Sequence, residues 1–117
     1  MPTKKDSENE TDDQQKRPEP FTPDVAKRKI RLILRDGDTF FSQHLLDDIR
    51  TGRHGVSHQD VLHVLKIGEI LTEPVWHETQ QNWKYKVEGA DLEEEEELRA
   101  ITIIIEERFS LFIVTAY

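Results

Sequence analysis

The fold predicted from this sequence is α+β, three short helices packed on an antiparallel β-sheet. Three observations point to it. Apolar residues recur at helical spacing in three segments of the first half, and past Gly68 the spacing shortens to that of strands. The first 22 residues, meanwhile, hold almost nothing that a core could use. Helices first and strands afterwards describe helices laid on a sheet rather than alternating βαβ units.

The opening stretch, residues 1–22, has Met1 and Phe21 as its only large apolar side chains. Such a segment cannot bury enough surface to offset the entropy of ordering it, so a disordered polar tail is expected, followed by one domain over residues 23–117. The chain has no cysteine, which removes disulfides and thiolate metal sites and fits a reducing compartment. The tail has no apolar run typical of an export signal, and no apolar stretch approaches the length of a membrane span. A cytoplasmic location is the expectation.

The first helix opens at Thr22, a capping residue, with Pro23 at its first position. Val25, Ala26, Ile30, Ile33 and Leu34 form its apolar face, and Asp36-Gly37-Asp38 ends it. Phe40-Phe41 reads either as a short strand or as the approach to the next helix. Ser42 can cap a second helix through Leu45, Leu46 and Ile49 that stops at Gly52. Ser57 can cap a third, with Asp60 three residues on and Val56 and Val61 placed as a hydrophobic staple. Val61, Val64 and Leu65 give its buried face, and Gly68 ends it.

After Gly68, Ile70-Leu71 and Val75-Trp76 are weak strand signals around Pro74. Residues 83–87 alternate strictly, which is a half-buried strand with Lys84 and Lys86 on one face. Gly89-Ala90-Asp91 and the five glutamates of residues 93–97 make an exposed connection. Residues 100–105 and 111–115 are dense in β-branched side chains and form a buried hairpin. Two nearly continuous apolar runs predict strands covered on both faces, or at least central in their sheet.

The net charge is -8, but its distribution decides more than its sum. Two of those negative charges lie in residues 1–22 and five in residues 93–97, which leaves the rest of the domain at -1. Within it, residues 25–35 carry five positive charges and no negative one, and Lys27, Arg31 and Arg35 form a stripe at four-residue spacing. An anionic ligand is therefore not excluded, and that stripe could bind phosphates or an acidic partner.

His54, His58 and His63 suggest a metal site by spacing, but Gly55 and Ser57 place His54 ahead of the helix, and no carboxylate completes a ligand pattern. No metal and no cofactor is expected. Phosphate loops, nucleophile elbows and zinc-finger spacings are missing from the sequence as well. His44, in the first turn of a helix with Arg50 and Arg53 downstream, has the chemistry of a general base near neutral pH. Lys84 and Lys86 project from one strand face and could stabilise a phosphodiester's developing charge.

From Arg28 to Tyr117 the layout resembles the MqsR-type toxins and a related group of uncharacterised bacterial domains, within the broader RelE-like ribonuclease fold. The likeness runs through Arg28-Lys29-Ile30 and Gly37, then Phe41-Ser42-Gln43-His44, then Arg53-His54-Gly55-Val56-Ser57 with Asp60-Val61. It continues through Gly68-Glu69-Ile70, the strand of residues 83–87, and the closing apolar strands. The resemblance implies a metal-independent messenger-RNA endoribonuclease, neutralised by a cognate antitoxin that is often a DNA-binding protein. It places His77 where the family has a lysine after the third helix, Lys84 after the family's tryptophan, and Tyr117 just past the last strand. The family's tyrosine at the opening of the penultimate strand is replaced by Leu98 or Arg99, and arginine is a poor proton donor.

The expected site therefore comprises His44 or His77 as base, Lys84 and Arg99 on the phosphate, and Tyr117 as acid or orienting group. Lys27, Arg31, Arg35, Arg50, Arg53 and Lys86 are the expected RNA contacts. A non-catalytic protein-interaction or regulatory module on the same fold is the alternative, motivated by the missing tyrosine and the acidic loop.

Overall fold

The computed structural model describes residues 17–117. The disordered tail expected for residues 1–16 lies outside the described residues. The elements run in the order α1 (Pro23–Asp36), β1 (Asp38–Phe41), α2 (Gln43–Thr51), a 3-10 turn (Arg53–Gly55) and α3 (His58–Ile67). Then come β2 (Glu69–Ile70), β3 (Val75–His77), β4 (Asn82–Ala90), β5 (Glu97–Ile105), a second 3-10 turn (Glu106–Arg108) and β6 (Ser110–Ala116).

Each helix starts on a side chain that accepts an otherwise orphaned N–H. Thr22 accepts from Val25 N–H, Ser42 from Leu45 N–H, and Ser57 from Asp60 N–H. At α3 the arrangement is reciprocal, because the Asp60 carboxylate accepts from Ser57 N–H. Burial alone would push the Asp60 carboxyl up; the hydrogen bonds from the Ser57 hydroxyl and the Leu92 and Ser57 N–H groups outweigh it and hold the group below its usual range. Gly52 closes α2 at φ 76, the left-handed conformation that favours glycine.

Gly68 closes α3 for a different reason. A Cβ there would sit 2.6 Å from Val64 O and 2.7 Å from Glu88 O, so only a bare α-carbon lets α3 meet β4.

The fold is α+β, three helices on a mixed, mostly antiparallel six-stranded sheet. The strand order is β1-β6-β5-β4-β2, with β3 pairing beside β2 on the same edge of β4. Among the described residues the one parallel pair is β1 with β6, Phe40 facing Phe112 in register. Phe40-Phe41 thus belongs to a strand, and Ser42 ties its end to β6 by donating to Val114 O (2.6 Å). The strands of residues 100–105 and 111–115 are central, as expected.

Among the described residues they are covered on one face only. The core is built from Ala26, Ile30, Ile33, Leu45, Val61, Val64 and Leu65 of the helices against Tyr85, Val87, Leu98, Ala100, Ile104, Leu111, Ile113 and Ala116 of the sheet. All three helices share that single core. No helix among the described residues lies on the other sheet face.

The segment before α1 also differs from its expectation. Residues 17–22 belong to the folded unit: Trp83 Nε1 donates to Pro18 O (2.7 Å), Phe21 N–H donates to the Tyr85 hydroxyl (2.8 Å), and the Phe21 ring stacks on Tyr85. Tyr85 is buried, which is the main reason its phenol is pushed above the usual 10.0. Among the described residues no helix is long and apolar enough to cross a membrane.

Candidate functional site

Strand pairing assigns the side chains of the uncovered face in rows, apart from Val114, which a register irregularity in β6 leaves without a partner. Across the sheet, one row reads Phe40 (β1), Phe112 (β6), Ile103 (β5), Lys84 (β4) and Val75 (β3). The next row towards the end of β6 holds Thr115, Ile101 and Lys86, and the last holds Tyr117, Arg99 and Glu88. Ile103 is fully buried yet stands apart from the helix-side core, because its neighbours on the open face close over it.

The register separates the expected catalytic residues into groups. Arg99 and Tyr117 pair backbone to backbone, and the guanidinium lies 5.6 Å from the centre of the tyrosine ring. Arg99 Nε is also 3.6 Å from Glu88 Oε1. Lys84 does not join them, although a hairpin site was expected to hold all three together. It faces Ile103, four residues before Glu88 on β4, which places it about 13 Å from the Arg99 row.

His77 is farther still, opposite Asn82, and its Nδ1 accepts from Gln80 N–H in the turn that follows. That contact gives His77 a local structural task.

His44 stands at the same end of the sheet as Arg99 and Tyr117. It opens α2 two residues after Ser42, which hydrogen-bonds Val114 near the end of β6. Its side chain is 65% exposed, with Nε2 lying 3.2 Å from the carboxylate of Asp48, whose side chain is only 10% exposed. The spacing of four residues puts the two on one helix face. Asp48 was not singled out in the sequence, although that spacing would have found it. A buried carboxylate beside one imidazole nitrogen orients the ring and leaves Nδ1 turned to other partners.

Most of the expected RNA-binding cations are engaged within the protein. Lys27 is 2.6 Å from both oxygens of Glu69 and holds that carboxyl below its usual range. Arg31 donates to Lys66 O and Gly68 O, satisfying the carbonyls that end α3. Arg35 pairs with Asp36, and Arg50 with Asp47. Within the α1 stripe only Arg31 ties elements together through backbone carbonyls; Lys27 and Arg35 form pairs at the surface. Arg53 is exposed in the 3-10 turn. Lys84 and Lys86 have no carboxylate within ion-pair distance among the described residues.

His58 stacks on Phe41, with ring centres 4.3 Å apart, so it packs against the β1 edge. Tyr117 borders a second feature, an open groove of about 790 Å3 between the first 3-10 turn, the start of α3 and the glutamate loop. That loop is fastened down, since Leu92 N–H donates to Asp60 and Glu95 N–H to Asp91. Its carboxylates make the groove repel polyanions.

The class that fold and site define is a two-layer α+β domain with one open sheet face, a His–Asp pair at one end and cations along one side. No family model matches the chain, and no curated protein or solved structure matches it significantly.

Proposed function

We propose that this protein is a metal-independent endoribonuclease of the toxin type, cleaving single-stranded messenger RNA on the open sheet face and neutralised by a cognate antitoxin. The observation that supports the reading is the Arg99–Tyr117 pair on the open face, with His44 and its Asp48 partner on α2, which starts beside the end of β6 and packs through Leu45 into the helix-side core.

In this mechanism His44 takes the proton of a ribose 2′-hydroxyl, and the 2′-oxygen attacks the adjacent phosphorus. Arg99 stabilises the charge that develops on the phosphate oxygens, as a planar multi-donor cation does best. The bond from phosphorus to the 5′-oxygen breaks, and the Tyr117 hydroxyl protonates the leaving oxygen. The products are a 2′,3′-cyclic phosphate and a 5′-hydroxyl end. His77 is not the base in this scheme, being occupied in its turn, and Lys84 holds a neighbouring phosphate away from the scissile one.

Purified protein incubated with unstructured RNA in the presence of a chelator should release cyclic-phosphate ends. His44→Ala should slow that release by about 10²–10⁴-fold, the range for losing a general base. Intact RNA, together with harmless expression in growing cells, would rule the reading out.

A second reading is favoured by one feature of the site, the engagement of Arg99 by Glu88. It makes the domain a non-catalytic interaction or regulatory module on the same face. It is recognised by binding without strand scission, and His44→Ala then changes nothing.

A further inference from the structure

The open face is divided lengthwise by chemistry. Its β1 and β6 side is aromatic, with Phe40 and Phe112 directly opposite each other in register and Tyr117 beyond them at the site. Phe40 is 55% exposed, and neither phenylalanine stacks on another aromatic ring among the described residues. Its β4 and β5 side carries Lys84 and Lys86, then Arg99 paired with Glu88. Ile101, Ile103 and Ile105 of β5 form an apolar ridge between the two halves.

We infer that this face is a platform for single-stranded RNA in which nucleobases stack on Phe40 and Phe112 while the phosphodiesters follow Lys84 and Lys86. The inference rests on the RNA reading above and adds the groups recognised and the direction of travel. The RNA lies along β5, its bases towards β1 and its backbone towards β4. It leads from the phenylalanine pair, past the row of Ile101 and Lys86, to Arg99, Tyr117 and His44.

Magnitudes show why the aromatic side is needed. Two lysines, unpaired among the described residues, give a salt slope of only about -1.4 against a single strand, a weak hold for a chain of net charge -8. Base stacking on an aromatic side chain contributes about tenfold or more in affinity per base, and it tolerates any sequence because every base has a π-face. Phosphates running along a cationic flank with bases on aromatics is also how β-sheets take single strands elsewhere. The partly exposed Ile101 and Ile105 suit the ribose edges that would lie between, while Ile103 beneath them is closed off.

Fluorescence anisotropy with short 2′-O-methyl oligonucleotides, which bind but cannot be cleaved, tests this directly. Phe40→Ala should weaken binding by about tenfold or more. Phe40→Trp should retain it, with an indole emission that the bound oligonucleotide quenches. Polyphosphate, which has no bases, should bind the native protein and Phe40→Ala alike.

If Phe40→Ala and Phe112→Leu bind as the native protein does while Lys84→Ala binds more weakly, stacking is refuted and the RNA reading survives. If the native protein binds no oligonucleotide, both fail. Light scattering supplies the remaining outcome: a native dimer that Phe40→Ala converts to monomer, without oligonucleotide binding, assigns the face to a second copy of this chain and overturns the inference.

Discussion

The two faces of the sheet are made by the same strands, often by neighbouring residues, and they do different work. On the helix side Leu111, Ile113, Ala100 and Tyr85 are sealed into one core with all three helices. On the open side Phe112, Ile101 and Phe40 are apolar too, yet no helix among the described residues covers them, and Lys84, Lys86 and Arg99 are set among them. Apolar content alone does not distinguish core from surface here; the partner does. Folding free energy should therefore come overwhelmingly from one face, leaving the other available for a ligand.

The sharpest way to break that comparison is to cut equally into both faces. Leu111→Ala removes a fully buried side chain from the helix side and should cost about 2–5 kcal/mol, read from the midpoint of a denaturant titration at unchanged slope. A cost below about 1 kcal/mol would mean that the helix layer is not the dominant core.

Next in size is the seam between the layers. Gly68→Ala would drive a Cβ against two backbone oxygens, Val64 O and Glu88 O, neither of which can swing away as a side chain could. The expected loss is about 1–3 kcal/mol. A neutral Gly68→Ala would show that α3 can lift from β4 without penalty, and the division into a tightly seated face and a free one would weaken.

How far these features were legible in the sequence follows from the range of the interactions that make them. The helices were readable because their signals are local: Thr22, Ser42 and Ser57 each cap a donor within three residues, and Gly37, Gly52 and Gly68 follow the last turns. Asp48 lies within the same range of His44 and could have been found by spacing. The parallel pairing of β1 with β6 joins residues more than seventy positions apart, and nothing in Asp38–Phe41 announces it.

Covering is not local either. The runs in β5 and β6 are apolar on both faces, which in sequence is indistinguishable from a strand buried on both. Pairing of charges is equally remote, since Lys27 meets Glu69 and Arg31 meets Gly68 only after folding. Phe21 read as part of a tail because its anchor, Tyr85, lies 64 residues away.

A smaller effect should separate the helix layer's start from the rest by pH. Ser57→Ala removes half of the reciprocal cap at α3 and should cost about 1 kcal/mol. Asp60 has its folded pKa below the ordinary 3.8, so the stability it contributes is complete above that value. It is lost as pH falls from there through the lower value of the folded protein, where protonation ends the bonds from Ser57 and Leu92. In Ser57→Ala the Asp60 carboxyl should move back towards its ordinary value, and this part of the acid dependence should shrink. Urea midpoints measured from pH 6 down to pH 2 give both numbers, and parallel curves for the two proteins would remove Asp60 from the account.

The smallest expected change in stability is also the one that most tests the division of labour. Phe40 is a large aromatic at the centre of a strand, and its removal from a packed face would be severe. On the open face, with 55% of its surface already exposed, Phe40→Ala should shift stability by no more than about 0.5 kcal/mol. A thermal or urea titration on the isolated protein decides it. A loss comparable to that of Leu111→Ala would mean that the open face is a second core, and the apolar side chains of β5 and β6 would then need no ligand to explain them. A near-neutral result leaves an aromatic ring held in the open at no benefit to folding, in register with Phe112.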